Sequence, residues 1–274
     1  MDIVRSVLLS QFPELVHGFA TKEWGNMSFR RDWDGKAKQN NVEFLLALGI
    51  DPTTTPILDP CLNHGNNVAL LESRYRAYRL ITLNEGEVQN FSYNTPIVPP
   101  DPSLCPPDMG IDACWTGDAG ACLTMRPADC AIVMVYDPRT RTVGLLHAGT
   151  VGVLAEIIPH AIESVTRWRN VNPRFAYCFV GPSICREAYD LTQSGLWRSG
   201  HLKRVISESQ AQEYDPKARI RLQLLSCGIP DAHIEISQEC TASQPDRYFS
   251  HSAAGTKEER KRLGRMLAVI GLRR

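Results

Sequence analysis

Residues 121–150 read ACLTMRPADCAIVMVYDPRTRTVGLLHAGT, and this stretch restricts the fold more than any other. Two apolar, β-rich runs at 131–136 and 143–146 flank Asp137-Pro138-Arg139-Thr140. Pro in the second place of such a tetrapeptide suits a turn, so the two runs predict a β-hairpin. Cys130 precedes the first strand and His147 follows the second. In an antiparallel pair the start of one strand lies beside the end of its partner, so both side chains belong at one sheet edge. Asp129 adds a carboxylate next to the thiol, and Ala148-Gly149 lets the chain turn into a helix. Cys and His are soft enough for zinc and reactive enough for nucleophilic chemistry. Taken alone, the same pattern describes a small buried thiol and a histidine satisfied at a strand end, so the pair leaves both readings open.

The chain supplies ample material for a core, with 43% apolar residues among 274. Its 30 basic and 30 acidic residues cancel, which removes any global electrostatic case for nucleic acid or an anionic membrane surface. Nine cysteines without CxxC pairs argue against a disulfide scaffold and for a reducing compartment. The opening MDIVRSVLLSQFPELVHGFA has an acidic second residue and no long apolar segment, unlike a secretory signal. No run approaches the roughly 18 apolar residues of a membrane span. The expectation is a cytoplasmic protein with a small-molecule substrate, neither nucleic acid nor membrane as partner, and a monomer or small homo-oligomer.

Along the chain, 16–22 reads as a short strand running into a Gly-containing loop at 24–28, and 40–48 as a helix with Val42, Leu45, Leu46 and Leu48 on its apolar side. His64 lies in the turn Asn63-His64-Gly65-Asn66-Asn67, where an imidazole is more often exposed to a site than used as core filler. Residues 86–110 hold six prolines and little periodicity, which predicts a surface excursion or lid. After His147, Leu154, Ile157, Ile158, Ala161, Ile162 and Val165 follow helical spacing, with Pro159 expected to kink or divide the helix. Residues 175–180 predict a buried strand ending in the rigid turn Gly181-Pro182-Ser183-Ile184, placed with 17–28 around one pocket. Further on come a helix at 217–226, a strand at 233–236, a solvated charged run at 257–262 and an apolar 266–270 that closes a sheet.

Several of these pieces together resemble the YfiH-like family, also labelled multicopper polyphenol oxidoreductase (laccase) domain or peptidoglycan editing factor. The matching segments are His17-Gly18-Phe19 with Thr21-Lys22, the turn at 25–28, HGNNV at 64–68, DACWT at 112–116 and ADC at 128–130. They continue with Asp137 ahead of Val143-Gly144, HAG at 147–149, GPSI at 181–184, Tyr189-Asp190-Leu191, and finally Cys240-Thr241, Arg247 with Phe249-Ser250, and Gly264-Arg265. Their order and spacing over nearly the whole chain carry the resemblance. It implies one α+β domain over residues 1–274, a mixed β-sandwich with helices packed outside.

The resemblance also implies one metal, zinc rather than copper, held by His64, Cys130 and His147, with a fourth position left open. The activity it implies is zinc-dependent purine nucleoside phosphorolysis of adenosine or inosine, accompanied by adenosine deamination. Its substrates are then a nucleoside and phosphate. Asp129, Cys130 and His147 are the expected catalytic groups, Asp129 as a proton carrier or as a support for the metal ligand. Asn66, Gly149 and Ser183 go with the matched motifs as substrate contacts. The chain departs from the family pattern at Thr150-Val151, where Trp-Arg is usual, at Leu62 for Gln, at Glu187-Ala188 for Cys-Cys, and at His251-Ser252 for Arg. With the family arginine missing, Arg126, four residues before Cys130, is the substitute expected to hold phosphate. The competing readings are a metal-free Cys/His hydrolase or amidase using Cys130 and His147, and a non-catalytic zinc-binding relative. Several coppers would demand His-rich clusters that the chain lacks.

Overall fold

The computed structural model describes residues 1–60, 62–74, 77–79 and 110–274. The expected Pro-rich excursion at 86–110 therefore lies outside the described residues, apart from Gly110. Twelve strands are described: β1 (Ile3–Val4), β2 (Leu15–Ala20), β3 (Ile57–Leu58), β4 (Val68–Arg74), β5 (Ala77–Arg79), β6 (Ala113–Thr116), β7 (Cys122–Met125), β8 (Ala131–Asp137), β9 (Thr142–Ala148), β10 (Tyr177–Val180), β11 (Ile234–Ile236) and β12 (Ala268–Leu272). They form a five-stranded sheet, β1-β2-β12-β7-β3, and a seven-stranded sheet, β11-β10-β8-β9-β6-β4-β5. Both are mixed. The β7–β3, β10–β11 and β4–β6 pairs run parallel, and the others run antiparallel.

Successive side chains of a strand point to opposite faces, so a strand with both faces covered is apolar throughout. In β8 Ile132, Met134 and Tyr136 enter the core between the sheets, together with Phe19, Leu123, Leu145 and Ile270. Ala131, Val133 and Val135 enter a second core under the helices on the other side. That second core is capped by α3 (Ile157–Arg169) and α6 (Pro216–Ser226), with Val153 of α2 (Thr150–Leu154) beside them. On the far face of the smaller sheet, Val16, Ala20, Cys122 and Val269 pack on Phe44, Leu45 and Leu48 at α1 (Ala37–Ala47) and its end. The layers thus run helix, sheet, sheet, helix, an α+β sandwich. No helix among the described residues is long and apolar enough to cross a membrane.

The hairpin forms at the expected place, with Ile132 opposite His147 and Ala131 opposite Ala148. Asp137 shapes its turn by accepting from the Arg139 N–H at 2.9 Å and from Thr140 Oγ1 at 2.9 Å. Gly144 is needed because a Cβ there would run into the Trp115 ring. Three local expectations are corrected. Helix α1 begins three residues earlier than residue 40 and turns Leu46 out to 55% exposure, because Phe44 takes the inward place. Pro159 neither kinks nor divides its helix. It is the third residue of α3, where its missing N–H has no intrahelical partner to lose. The break falls instead at Glu156, whose φ of 59° is left-handed. The strand expected at 175–180 starts at Tyr177, since Pro173–Phe175 forms a 3-10 turn capped by Asn172.

Candidate functional site

His147 is the sixth residue of β9, on the register positions that face between the sheets. Cys130 stands immediately before β8, and the hairpin register brings it beside the end of β9. His64 reaches the same corner from the turn before β4, with φ of 63°. The ligating atoms of His64, Cys130 and His147 all lie within 4.8 Å of one another. The three differ in exposure: His147 is buried, Cys130 half-buried and His64 exposed, so the corner opens outward through His64. Among the described residues no other group of three or more His, Cys, Asp or Glu side chains converges in this way.

A buried carboxylate underlies the corner. Asp112 precedes β6, whose pairing with β9 sets Ala113 opposite Leu146 and so Asp112 beside His147. His147 Nδ1 donates to Asp112 Oδ1 at 2.7 Å. The same carboxylate accepts the N–H of His64 at 3.1 Å and of Gly65 at 2.8 Å. Burial works against ionisation of Asp112, but these partners hold its carboxyl below the usual carboxylate range. Burial likewise opposes a thiolate at Cys130, yet the charge and hydrogen bond of His147, helped by His64, bring the thiol down to about 6. His147 moves the other way. Desolvation lowers it, and the Cys130 thiolate and Asp112 together raise it to about 9. Without an ion the corner is a thiolate–imidazolium pair backed by a carboxylate.

The donor set fits zinc. Two imidazoles and a thiolate are ordinary zinc ligands, and a carboxylate on the far nitrogen of a ligand histidine is the usual outer support. Gly149 adds an independent indication. A Cβ there would meet His147 Cε1 at 3.2 Å, His64 Cδ2 at 3.2 Å and Cys130 Sγ at 3.3 Å, so the backbone is bare where the three converge.

A cavity of about 330 Å³ opens from this corner, lined by His64, Cys130 and His147 and by Arg30, Arg31, Arg126 and Arg265. It falls in the range of small-molecule sites, roughly 300–1,000 Å³. Arg126 is on the wall, but its guanidinium is occupied. It pairs with the buried Asp59, donates from Nε to the Met27 carbonyl at 2.7 Å and from Nη2 to Asn41 Oδ1 at 2.8 Å, and stacks over Phe29. Arg265 differs. Burial, then the charge of Arg31, pull it down to about 10, and among the described residues it meets no carboxylate within ion-pair distance. Its Nη1 donates only to the carbonyls of Leu263 and Gly264, at 3.3 and 2.9 Å.

Asp129 is buried and left-handed, with φ of 79°. Its Oδ1 accepts from Thr241 Oγ1 at 2.7 Å, its Oδ2 from the Ser252 N–H at 2.7 Å, and its carbonyl from the Ile184 N–H at 2.9 Å. Gly149 lies against the His64, Cys130 and His147 side chains, whereas Asn66 and Ser183 are not on the cavity wall. Ser183 is buried under the bridge it makes with Cys240. Of residues 17–28 only Ser28 reaches the wall, and residues 181–184 do not. Asp112 and Arg265 were given no role from sequence, although both stand in the matched segments DACWT and Gly264-Arg265.

A family model described as multi-copper polyphenol oxidoreductase laccase matches residues 18–273. The chain is 32% identical over 180 residues to a purine nucleoside phosphorylase, YlmD, of Geobacillus stearothermophilus, covering 60% of this chain and 61% of that protein. It is 24% identical over 222 residues to an adenosine deaminase, RL5, from an unknown prokaryotic organism, covering 78% and 76%. The chain thus spans about three-fifths of the length of several of the phosphorylases it matches. The crystal structure of YlmD from Geobacillus stearothermophilus superposes with a TM-score of 0.72 at 24% identity, covering 100% of this chain and 97% of that one. The Bacillus licheniformis protein YfiH does so at 0.68 and 21%, covering 94% and 93%.

Proposed function

We propose, from the premise that this chain belongs to the multi-copper polyphenol oxidoreductase laccase family, that it is a zinc-dependent enzyme that splits purine nucleosides with inorganic phosphate, with adenosine deamination as a companion activity. One observation carries the reading: the three ligating side chains converge within 4.8 Å on the wall of a cavity that also holds several arginines. The phosphorylase and deaminase names of the relatives point to the same substrate class.

In this reading His64, Cys130 and His147 hold the ion, which supplies a Lewis acid with an open position. Asp112 keeps His147 in the tautomer that turns Nε2 to the ligand corner and steadies the His64 turn through two backbone N–H groups. Arg265, desolvated and without a carboxylate partner among the described residues, takes the phosphate role expected of Arg126. A guanidinium offers forked donors that match a phosphate oxygen pair. Arg126 already spends its charge on Asp59 and so shapes the wall. Both oxygens of Asp129 accept hydrogen bonds from the protein, which favours bracing Cys130 over moving a proton.

The test is incubation of the purified protein with inosine or adenosine, with and without phosphate, while metal content is measured by emission spectrometry. Phosphate-dependent release of hypoxanthine or adenine, with about one zinc per chain, is the expected result. No base release from zinc-loaded protein rejects the reading. A second reading, a thiol hydrolase or amidase, is favoured by one observation: Cys130, His147 and Asp112 stand as thiolate, imidazolium and carboxylate in sequence. Alkylation separates the two, because Cys130 held by zinc resists iodoacetamide and a free nucleophile does not.

A further inference from the structure

Away from the ligand corner, Cys185 and Cys240 lie side by side. Their sulfurs are 2.7 Å apart, inside the contact distance of non-bonded sulfur, and the Cys185 N–H also points at Cys240 Sγ at 3.2 Å. The arrangement is built by backbone pairing. Ser183 and Cys240 form a parallel bridge, and the Thr241 N–H donates to the Ser183 carbonyl at 3.2 Å. No other two thiols among the described residues are in such contact. Cys185 is half-buried and reachable, and Cys240 is covered at 6% exposure. A cation stands close by: Lys217 Nζ is held by the carbonyls of Ser237 and Glu239 at 2.7 and 2.8 Å, where its charge feels both sulfurs. Burial raises the Cys185 thiol, as do its hydrogen bonds with Cys240 and Glu187, whereas at Cys240 burial is outweighed by hydrogen bonds with Cys185 and Ser243, which hold that thiol below its usual value.

We infer that Cys185 and Cys240 are a reversible thiol–disulfide pair, oxidised by a low-molecular-weight disulfide such as oxidised glutathione. Cys185 passes its proton to Cys240 Sγ along the contact between them and attacks one sulfur of the glutathione disulfide, forming a mixed disulfide and expelling one glutathione thiolate, which takes the proton on from Cys240. The Cys240 thiolate then attacks Cys185 Sγ, forming the Cys185–Cys240 bond and expelling the second glutathione. Two protein thiols are oxidised and one disulfide is reduced to two thiols, so the electrons balance and two protons pass to the thiolates released. A bond of about 2.05 Å needs only a small further approach of the sulfurs.

The pair touches the two segments that hold Asp129. Ile184, next to Cys185, donates its N–H to the Asp129 carbonyl, and Thr241, next to Cys240, donates its hydroxyl to the Asp129 carboxylate. Oxidation therefore fastens the brace behind Cys130 without touching the ligands. The inference is independent of the nucleoside reading.

The experiment incubates the full chain with oxidised glutathione, blocks remaining thiols with iodoacetamide and maps the peptides by mass. The expected result is a Cys185–Cys240 cross-link lighter by two hydrogens and reversed by dithiothreitol, with slowed hydrogen exchange at the Thr241 amide. Cys240→Ser should stop at glutathione on Cys185, and Cys185→Ser should leave Cys240 reduced. Wild-type protein in which both thiols are still fully alkylated after incubation overturns the proposal, as does preferential pairing of Cys185 with another cysteine. Neither of those wild-type readouts depends on how the variants fold.

Discussion

Asp112 and His147 meet across the β6–β9 pair, Oδ1 to Nδ1 at 2.7 Å, and the Asp112 carboxylate also gathers the N–H groups of His64 and Gly65. One buried group thus orients two of the three proposed ligands. Asp112→Ala should weaken zinc affinity by about 10–100-fold, the scale of a lost outer support. Competition with a chromogenic chelator measures it. Unchanged affinity would remove Asp112 from this role.

Zinc uptake should depend on pH with a definite sign. With Cys130 at about 6 and His147 at about 9, the empty corner between those values holds a thiolate and an imidazolium. Binding must then expel one proton, from His147, so affinity should rise about tenfold per pH unit from 6 towards 9. Below 6 the thiol proton must leave as well, and the slope should steepen. Above 9 it should flatten. Calorimetric titration in buffers of different ionisation heat counts the protons, and none released near neutral pH would contradict the pair.

Gly149→Ala should reduce zinc loading more than it reduces folding. The backbone there, with φ of −72° and ψ of 160°, is open to any residue, and the nearest obstacles to the new methyl are the His147, His64 and Cys130 side-chain atoms at 3.2–3.3 Å. An affinity loss of roughly 10–100-fold with a nearly unchanged melting temperature is expected, similar in size to a lost outer partner. A large fall in melting temperature with normal metal binding would reverse the argument.

Arginines 126 and 265 should fail differently. Arg126→Ala strands the buried Asp59 carboxylate and should cost about 3–5 kcal/mol of stability, read by urea denaturation. Arg265→Ala should leave folding largely intact and lower kcat/KM for phosphate by roughly 10²–10³-fold, the scale of a lost transition-state donor. If both variants retain the wild-type phosphate dependence, neither arginine serves the anion.

The hairpin and the meeting of Cys130 with His147 were legible because alternation, a Pro turn and antiparallel geometry are local rules. The second expectation, a helix divided by Pro159, failed because periodicity does not reveal which turn of a helix a proline occupies. Asp112 could not be assigned from sequence, since its place beside His147, 35 residues away, depends on β6 choosing β9 as neighbour. The expectation of a phosphate role for Arg126 had a similar cause. Nearness to Cys130 in sequence was visible, whereas the carboxylate that occupies Arg126 comes from Asp59, far upstream.

The place of β12 has a consequence for how this protein is made. Residues 268–272 fill the middle of the five-stranded sheet, hydrogen-bonded to β2 on one side and β7 on the other. Until those residues leave the ribosome, the two flanking strands have no partner for their facing edges, and unpaired edges invite wrong pairings. Thr241, Ser252 and Arg265 also arrive late, so the Cys130 thiol emerges well before the residues that brace it and share its cavity. The nascent chain therefore carries the Cys130 thiol unguarded until Thr241, Ser252 and Arg265 have emerged.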